Sequence, residues 1–127
     1  MNEWKFGNKV LELCVKPQGR GYFSCARMPE NGGVEYLPNQ VTKPAPLCGP
    51  LTVFESRNDA ERFAQRLNHG LNYCFHVVLP CLYRESRDQE VWSPLVLEDG
   101  GSWPTGQQKD YLPEGTRLAD EVWILDQ

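Results

Sequence analysis

Residues 49–70, GPLTVFESRNDAERFAQRLNHG, contain a strand and a helix whose limits can both be predicted from local chemistry. Leu51–Phe54 is a short apolar run typical of a buried strand. Ser56 follows as a helix N-cap, and Asp59 three positions later makes a capping-box-like pair with it. Gly70 is well placed to end the helix. The stretch therefore predicts one strand followed directly by one helix of about three turns.

The predicted helix has one apolar stripe, which indicates that it packs on a sheet as part of the scaffold. A helix N-terminus can also bind an anion. The loop before this helix lacks the glycine-rich cradle of a phosphate site, so we expect a scaffold role. The apolar positions recur at helical spacing and are Ala60, Phe63, Ala64 and Leu67.

Alternating or compact apolar patterns predict further strands along the chain. The predicted order of elements along the chain is β-β-β-β-α-β-(β)-β. We predict an α+β fold, in which a mainly antiparallel sheet of about five to six strands carries one amphipathic helix packed on it. Besides Leu51–Phe54, the predicted strands are Val10–Val15, Tyr22–Arg27, Val34–Leu37, Tyr73–Cys81, placed at the sheet centre, and Thr116–Leu125.

Proline and glycine mark the predicted connections. Pro38–Pro50 contains four prolines, which excludes a helix or a central strand there. Pro94–Gly115 contains three prolines and four glycines, which predicts a long surface loop over residues 94–115. A chain of 127 residues is close to the commonest domain size, so we expect one domain over 1–127 with a folded core over 8–127.

Charge and hydropathy exclude several classes of function. The net charge is −4, and no run of basic residues forms the concentrated positive face that nucleic-acid binding needs, so double-stranded nucleic acid is disfavoured as a partner. The start of the chain, MNEWKFGNK, has no apolar signal core, and the uncharged run Gly70–Tyr83 is too short to span a bilayer. We expect a soluble, cytoplasmic protein with no membrane partner.

The five cysteines are widely spaced and include no CxxC pair. We therefore expect reduced thiols, no metal and no cofactor. Zinc at Cys74, His76 and Cys81 is the alternative. A regular strand would place Cys81 on the face opposite Cys74 and His76, whereas zinc takes its ligands in a tetrahedron.

One candidate ligand site lies in and near the hairpin loop GRGYFSCAR. Arginine donates hydrogen bonds in a planar fork that suits phosphate, and a hydroxyl and an aromatic ring beside it could hold a nucleotide. A solvated hairpin loop is the alternative explanation. The residues of this candidate anion site are Arg20, Tyr22, Ser24, Arg27 and Lys43.

The second candidate site lies in the acidic C-terminal part of the chain. Residues 71–127 carry four Lys/Arg against ten Asp/Glu. Large aromatic side chains supply much of the binding energy at protein interfaces, although they could instead cover the sheet. The candidate partner-binding residues are Trp92, Trp103 and Tyr111.

With GYFSC, PLTVFESRNDAERFA and PEGTRLADEVWIL in view, the chain resembles small accessory proteins of phage and bacterial genomes. The resemblance spans residues 9–125 loosely, and its motifs are typical of a fold rather than of catalysis. It implies a phage or mobile-element accessory factor that binds a host protein or a nucleotide signal. Our prediction is a small, non-enzymatic, cytoplasmic binding protein with a host or cognate protein as partner.

The alternative hypothesis is a nucleotide-binding or nucleotide-processing domain similar to an ADP-ribosyltransferase. That class uses a catalytic glutamate near a late strand, and Glu121 is the candidate here. It also usually carries an arginine or histidine on its first strand, and Val10–Val15 has neither. This departure favours binding without catalysis.

Overall fold

A computed structural model describes residues 3–16, 19–24, 34–46, 48–70, 75–96, 102–108, 110 and 112–125. Within this part of the chain, strands dominate and one helix interrupts them. The elements in chain order are β1 (Trp4–Lys16), β2 (Gly19–Phe23), β3 (Val41–Thr42), β4 (Leu51–Phe54), α1 (Arg57–Gly70), β5 (Phe75–Glu85), β6 (Glu90–Val96), β7 (Ser102–Gln108) and β8 (Thr116–Ile124).

Four of the strands close into an antiparallel barrel. β1 pairs with β5, β5 with β8, β8 with β4, and β4 returns to β1. Strand β2 extends the sheet from β1, and β3 is added beside β8. The α+β prediction of an antiparallel sheet with one helix agrees with this structure, and the central position of β5 is confirmed. The closure into a barrel was not predicted.

The barrel interior is filled by large apolar side chains that alternate along the strands. Leu11, Cys81, Val122 and Ile124 are each fully buried there, and Tyr83 is 2% exposed. β1 and β4 are bridged at one residue pair, Asn8 with Phe54. Beside this thin seam the buried ammonium of Lys9 donates a hydrogen bond of 2.6 Å to the carbonyl oxygen of Thr52. The lysine thus joins two strands that have few ladder hydrogen bonds of their own.

Helix α1 packs on the outside of the barrel as its apolar stripe predicts. Ala60 and Ala64 are buried against Val10, Phe54 and the partly buried Val78. The rings of Phe54 and Phe63 lie 5.6 Å apart between their centroids. At 14 residues, α1 is too short to cross a membrane. None of the described residues forms a helix that is long and apolar enough to cross one.

Several boundaries differ from those predicted. β1 begins at Trp4 rather than near residue 9, and Val34–Leu37 contributes a single bridge, Glu35 to Phe23. Within the proline-rich stretch 38–50, Val41 and Thr42 lie between the prolines and form a two-residue strand. Short strands of this kind are decided by the neighbouring strand, which a local pattern does not reveal.

The stretch 94–115 is not one long loop. It contains the end of β6 and the whole of β7, which form a separate two-stranded sheet in which Pro94 lies opposite Pro104. Proline lacks an N–H and is normally confined to edge strands. Both strands of a two-stranded sheet are edges, so each proline fits with its nitrogen directed away from the partner strand.

We predict that Ser56→Ala will lower the free energy of unfolding by about 1 kcal/mol. The Ser56 hydroxyl oxygen accepts a hydrogen bond of 3.4 Å from the Asp59 backbone N–H in the first turn of α1. Alanine leaves that N–H without its cap. Urea denaturation would measure the loss, and Ser56→Asp, which restores an acceptor, should recover most of it. Equal stability of wild type and Ser56→Ala would show that the cap contributes nothing.

Candidate functional site

Helix α1 covers only part of the barrel's outer surface. Even-numbered residues of β1 and β5 face outward, and Val10 and Val78 lie under the helix. Phe6 and Leu82, further along the same two strands, are cross-strand neighbours on the same side. Phe6 is 78% exposed. This part of the outer surface therefore has apolar side chains that α1 does not cover.

An apolar row crosses four strands in this uncovered region. Phe6 pairs with Leu82, Leu82 with Trp123, and Trp123 with Val41. Directly opposite residues in an antiparallel sheet place their side chains on the same face. Phe6 and Val41, at the two ends of the row, are both exposed.

A second row, of mixed chemistry, runs beside the first. Trp4 pairs with Arg84, and Arg84 pairs with Glu121. The Arg84 guanidinium carbon lies 4.5 Å from the centroid of the Trp4 ring, a cation–π contact. Trp4 also meets Trp123 edge-to-face, with 6.1 Å between ring centroids and 82° between planes. These contacts join the two rows into one surface.

The carboxylate of Glu121 lies between two cations. One of its oxygens is 3.4 Å from Arg84 Nε and the other is 4.0 Å from Lys43 Nζ. Lys43 follows β3 directly, which brings it beside β8. We define the outer aromatic face as these two rows together with Lys43: Trp4, Phe6, Val41, Lys43, Leu82, Arg84, Glu121 and Trp123.

Two buried donors on the outer aromatic face have no hydrogen-bond acceptor among the residues that the structure describes. They are Arg84 Nε, whose approach to Glu121 lacks hydrogen-bond geometry, and the indole Nε1 of Trp123. An unsatisfied buried donor is costly, because it has lost water without gaining a partner. The outer aromatic face therefore has more buried hydrogen-bond donors than acceptors to pair with them.

The residues of the candidate anion site do not converge in the described structure. Ser24 is buried, and its hydroxyl both accepts a hydrogen bond from the Val34 N–H and donates one to the Val34 carbonyl. Tyr22 packs against the barrel interior. Lys43 lies on the outer aromatic face, where its ammonium approaches the carboxylate of Glu121. Arg27 and the side chain of Arg20 lie outside the described residues.

The candidate partner-binding residues stay a prediction. Trp92 lies on β6 and Trp103 on β7, opposite Gly106 and Leu95 respectively. Their side chains, and all of Tyr111, lie outside the described residues.

Two of the three candidate zinc ligands are described, and they lie on opposite faces of β5. His76 faces outward beside α1, and Cys81 is fully buried in the barrel interior. Burial raises the pKa of the Cys81 thiol to about 12, and nearby Lys9 opposes that rise only in part. Such a thiol stays protonated near neutral pH and is a poor nucleophile. Cys74 lies outside the described residues.

Sequence patterns identified Lys43 and Glu121 but assigned them to separate hypotheses. Trp4 and Phe6 precede residue 8, where the folded core is expected to begin, and Arg84 lies in a charged segment that no predicted strand includes. The signal available was the alternation of Trp4, Phe6 and Val10, which marks one face of a strand that begins earlier.

His76 anchors the C-terminal half of α1 to β5. The Asn68 side-chain oxygen accepts from the His76 backbone N–H at 2.8 Å and lies 3.2 Å from His76 Nδ1. His76 Nε2 is buried and has no hydrogen-bond partner within the described part of the chain. If Nδ1 carries the proton and donates to Asn68, protonation of the ring places a second N–H at Nε2 with no acceptor.

We predict that acid weakens this anchor. Burial lowers the pKa of the His76 imidazole, and the carboxylate of Glu12 across the strand pair opposes the shift in part. The unfolded state then binds the proton first, so the stabilisation is complete above about pH 6.5 and is lost as the pH falls through the folded pKa. Urea denaturation across this range should show a steeper loss for wild type than for His76→Phe. Parallel curves would contradict the prediction.

No protein-family model, no curated protein and no solved structure matches this chain, so its site is interpreted from its own geometry.

Proposed function

We propose that the chain is a binding protein without a catalytic role, and that it holds a protein partner on the outer aromatic face. The observation that carries the proposal is the uncovered row from Phe6 to Val41, flanked by the cation–π pair of Trp4 and Arg84. Sheet faces that need no partner are normally polar or covered, whereas this row exposes Phe6 and Val41 and leaves Leu82 and Trp123 partly buried between them.

The composition of the outer aromatic face suits protein recognition. Tryptophan and arginine are the residues most enriched among those that dominate interface energies. Here Trp4 and Arg84 make a cation–π contact with each other, which holds both side chains in place before a partner arrives. Ordering side chains in advance reduces the entropy that binding would otherwise cost.

The nucleotide-processing alternative gains less support from the described geometry. Glu121, its candidate catalytic residue, lies on the convex outside of the barrel and interacts with Arg84 and Lys43. A catalytic carboxylate is usually placed in a concave site that surrounds the substrate.

The proposed partner is a host or cognate protein in the cytoplasm. The resemblance to phage and bacterial accessory proteins supports the choice of a host protein. The free thiols of Cys14, Cys48 and Cys81 suit a reducing compartment.

The test uses two exposed phenylalanines on the same fold. Phe6→Ser changes the outer aromatic face, whereas Phe75→Ser changes a side chain that is 68% exposed at the start of β5, away from that face. Proteins that co-purify with wild type would be identified by mass spectrometry, and direct binding would be measured with the purified candidate. We expect Phe6→Ser to weaken binding by at least about tenfold and Phe75→Ser to leave it unchanged. Equal binding by wild type and Phe6→Ser would overturn the proposal.

A further inference from the structure

The charges on the outer aromatic face are not balanced. Two cations, Lys43 and Arg84, share the single carboxylate of Glu121, so the three groups sum to +1 on a chain whose net charge is −4. The side chains of Lys43 and Arg84 are 72% and 44% exposed, whereas that of Glu121 is 22% exposed. An approaching molecule therefore meets the two cations before it meets the carboxylate.

Arg84 has unused hydrogen-bonding capacity. The guanidinium has five N–H donors, and its contacts among the described residues are the cation–π contact with Trp4 and the ion pair with Glu121. The nearest acceptor among the described contacts is Glu121 at 3.4 Å, and Nε makes no hydrogen bond with it. Lys43 is 4.0 Å from the same carboxylate, which is the limit of an ion pair. Both cations can take a better-placed acceptor.

We propose that the bound partner is a protein segment that presents a carboxylate to Arg84 and Lys43 and an apolar side chain to the row of Phe6 and Trp123. This inference rests on the proposed function and adds the chemistry of the partner. A carboxylate suits the fork of arginine, which binds both its oxygens, and the apolar row lies directly beside it.

A protein carboxylate fits this surface better than a nucleic-acid backbone does. Glu121 lies between the two cations and repels a chain of phosphates. Binding of a nucleic-acid backbone also needs many protein cations, which together displace the counterions condensed on its phosphates. A single carboxylate needs only the forked contact with Arg84 and the charge of Lys43.

In this account Glu121 is an internal competitor for the same cations. Its removal frees Arg84 and Lys43, so Glu121→Gln should tighten binding of an acidic segment. The enzyme hypothesis gives the opposite expectation, because Glu121→Gln would abolish turnover.

A displayed library of random peptides, selected on the full chain and depleted on Phe6→Ser, supplies the probes. We expect the recovered peptides to combine Asp or Glu with a large apolar residue. Arg84→Gln should weaken the best of them by about tenfold, the worth of one charge-assisted contact. Glu121→Gln should tighten it by roughly fivefold, the effect of removing one charge about 4 Å away in water.

The outcomes separate this inference from the proposed function. Peptides whose binding requires Phe6 but that contain no Asp or Glu would overturn the inference and leave the proposed function standing. The same holds if neither Arg84→Gln nor Glu121→Gln changes their affinity. If the selection yields no peptide that depends on Phe6, both fail. Tighter binding of oligo-thymidine than of any recovered peptide would replace the protein segment with single-stranded nucleic acid. Self-association that Phe6→Ser abolishes would replace it with a second copy of this chain.

Discussion

Replacing Phe63 with alanine will lower the free energy of unfolding by about 3 kcal/mol, at the lower end of the range for losing a buried phenylalanine. The lower end is expected because Phe63 is only partly buried, between α1 and the outside of the barrel. Its ring centroid is 5.6 Å from that of Phe54, and such aromatic pairs stabilise beyond the area that they bury. Urea denaturation with an unchanged slope would give the value.

Gln65→Ala is the matched control for this prediction, because Gln65 is an exposed residue of the same helix. It should change stability by less than about 0.5 kcal/mol, as surface substitutions usually do. Similar results for Phe63→Ala and Gln65→Ala would mean that α1 does not pack on this side of the barrel. That result would also remove the reason for dividing the outer surface into a covered and an uncovered part.

Gly7→Ala should be the second large effect, with a loss of about 1–3 kcal/mol through overpacking. An added Cβ at residue 7 would lie 2.7 and 2.9 Å from two ring carbons of Tyr83 and 3.1 Å from the Phe54 carbonyl oxygen. Tyr83 is 2% exposed in the barrel interior, so its ring cannot move aside without displacing its neighbours. The clash falls close to the seam where β1 meets β4.

A double-mutant cycle tests the cause of that loss. Tyr83→Leu removes the ring and destabilises by itself, but Gly7→Ala should cost clearly less in the Tyr83→Leu background than in wild type. Calorimetry or urea denaturation of the four proteins would give the coupling energy. Additive losses would show that the ring of Tyr83 does not limit the space beside Gly7.

Helix α1 could be predicted because everything that defines it is local. Ser56 caps its first turn, and its apolar stripe from Ala60 to Leu67 is the surface that packs on the barrel. Capping depends on residues three positions apart, and helical packing depends on a repeat of three to four residues. Both appear in the sequence without knowledge of the rest of the chain.

Barrel closure could not be predicted in the same way. It depends on the pairing of β4 with β8 and on the single bridge from Asn8 to Phe54. These residues are far apart in the chain, and strand propensity reflects neighbours and burial more than local preference. The lysine that strengthens the seam, Lys9, resembles any other polar residue of an alternating strand until its contact with Thr52 is known.

The candidate site could not be predicted for the same reason, because it too depends on which strands pair. Lys43 and Glu121 each had an identifiable local context, but only the pairing of β3 with β8 brings them together. Arg84 has a charged sequence context typical of a turn, yet β5 continues through it to Glu85. The two rows of the outer aromatic face are cross-strand neighbours, and that information is absent from any single segment.

The most direct test of the partner-binding face uses the four tryptophans as separate reporters. In a ¹⁵N-labelled sample each indole N–H gives its own signal, assigned by single replacement with phenylalanine. On addition of the purified partner, the account predicts that the signals of Trp4 and Trp123 shift or broaden while those of Trp92 and Trp103 stay in place. Movement of the Trp92 and Trp103 signals alone would contradict the account, because the partner would then bind the two-stranded sheet of β6 and β7 rather than the outer aromatic face.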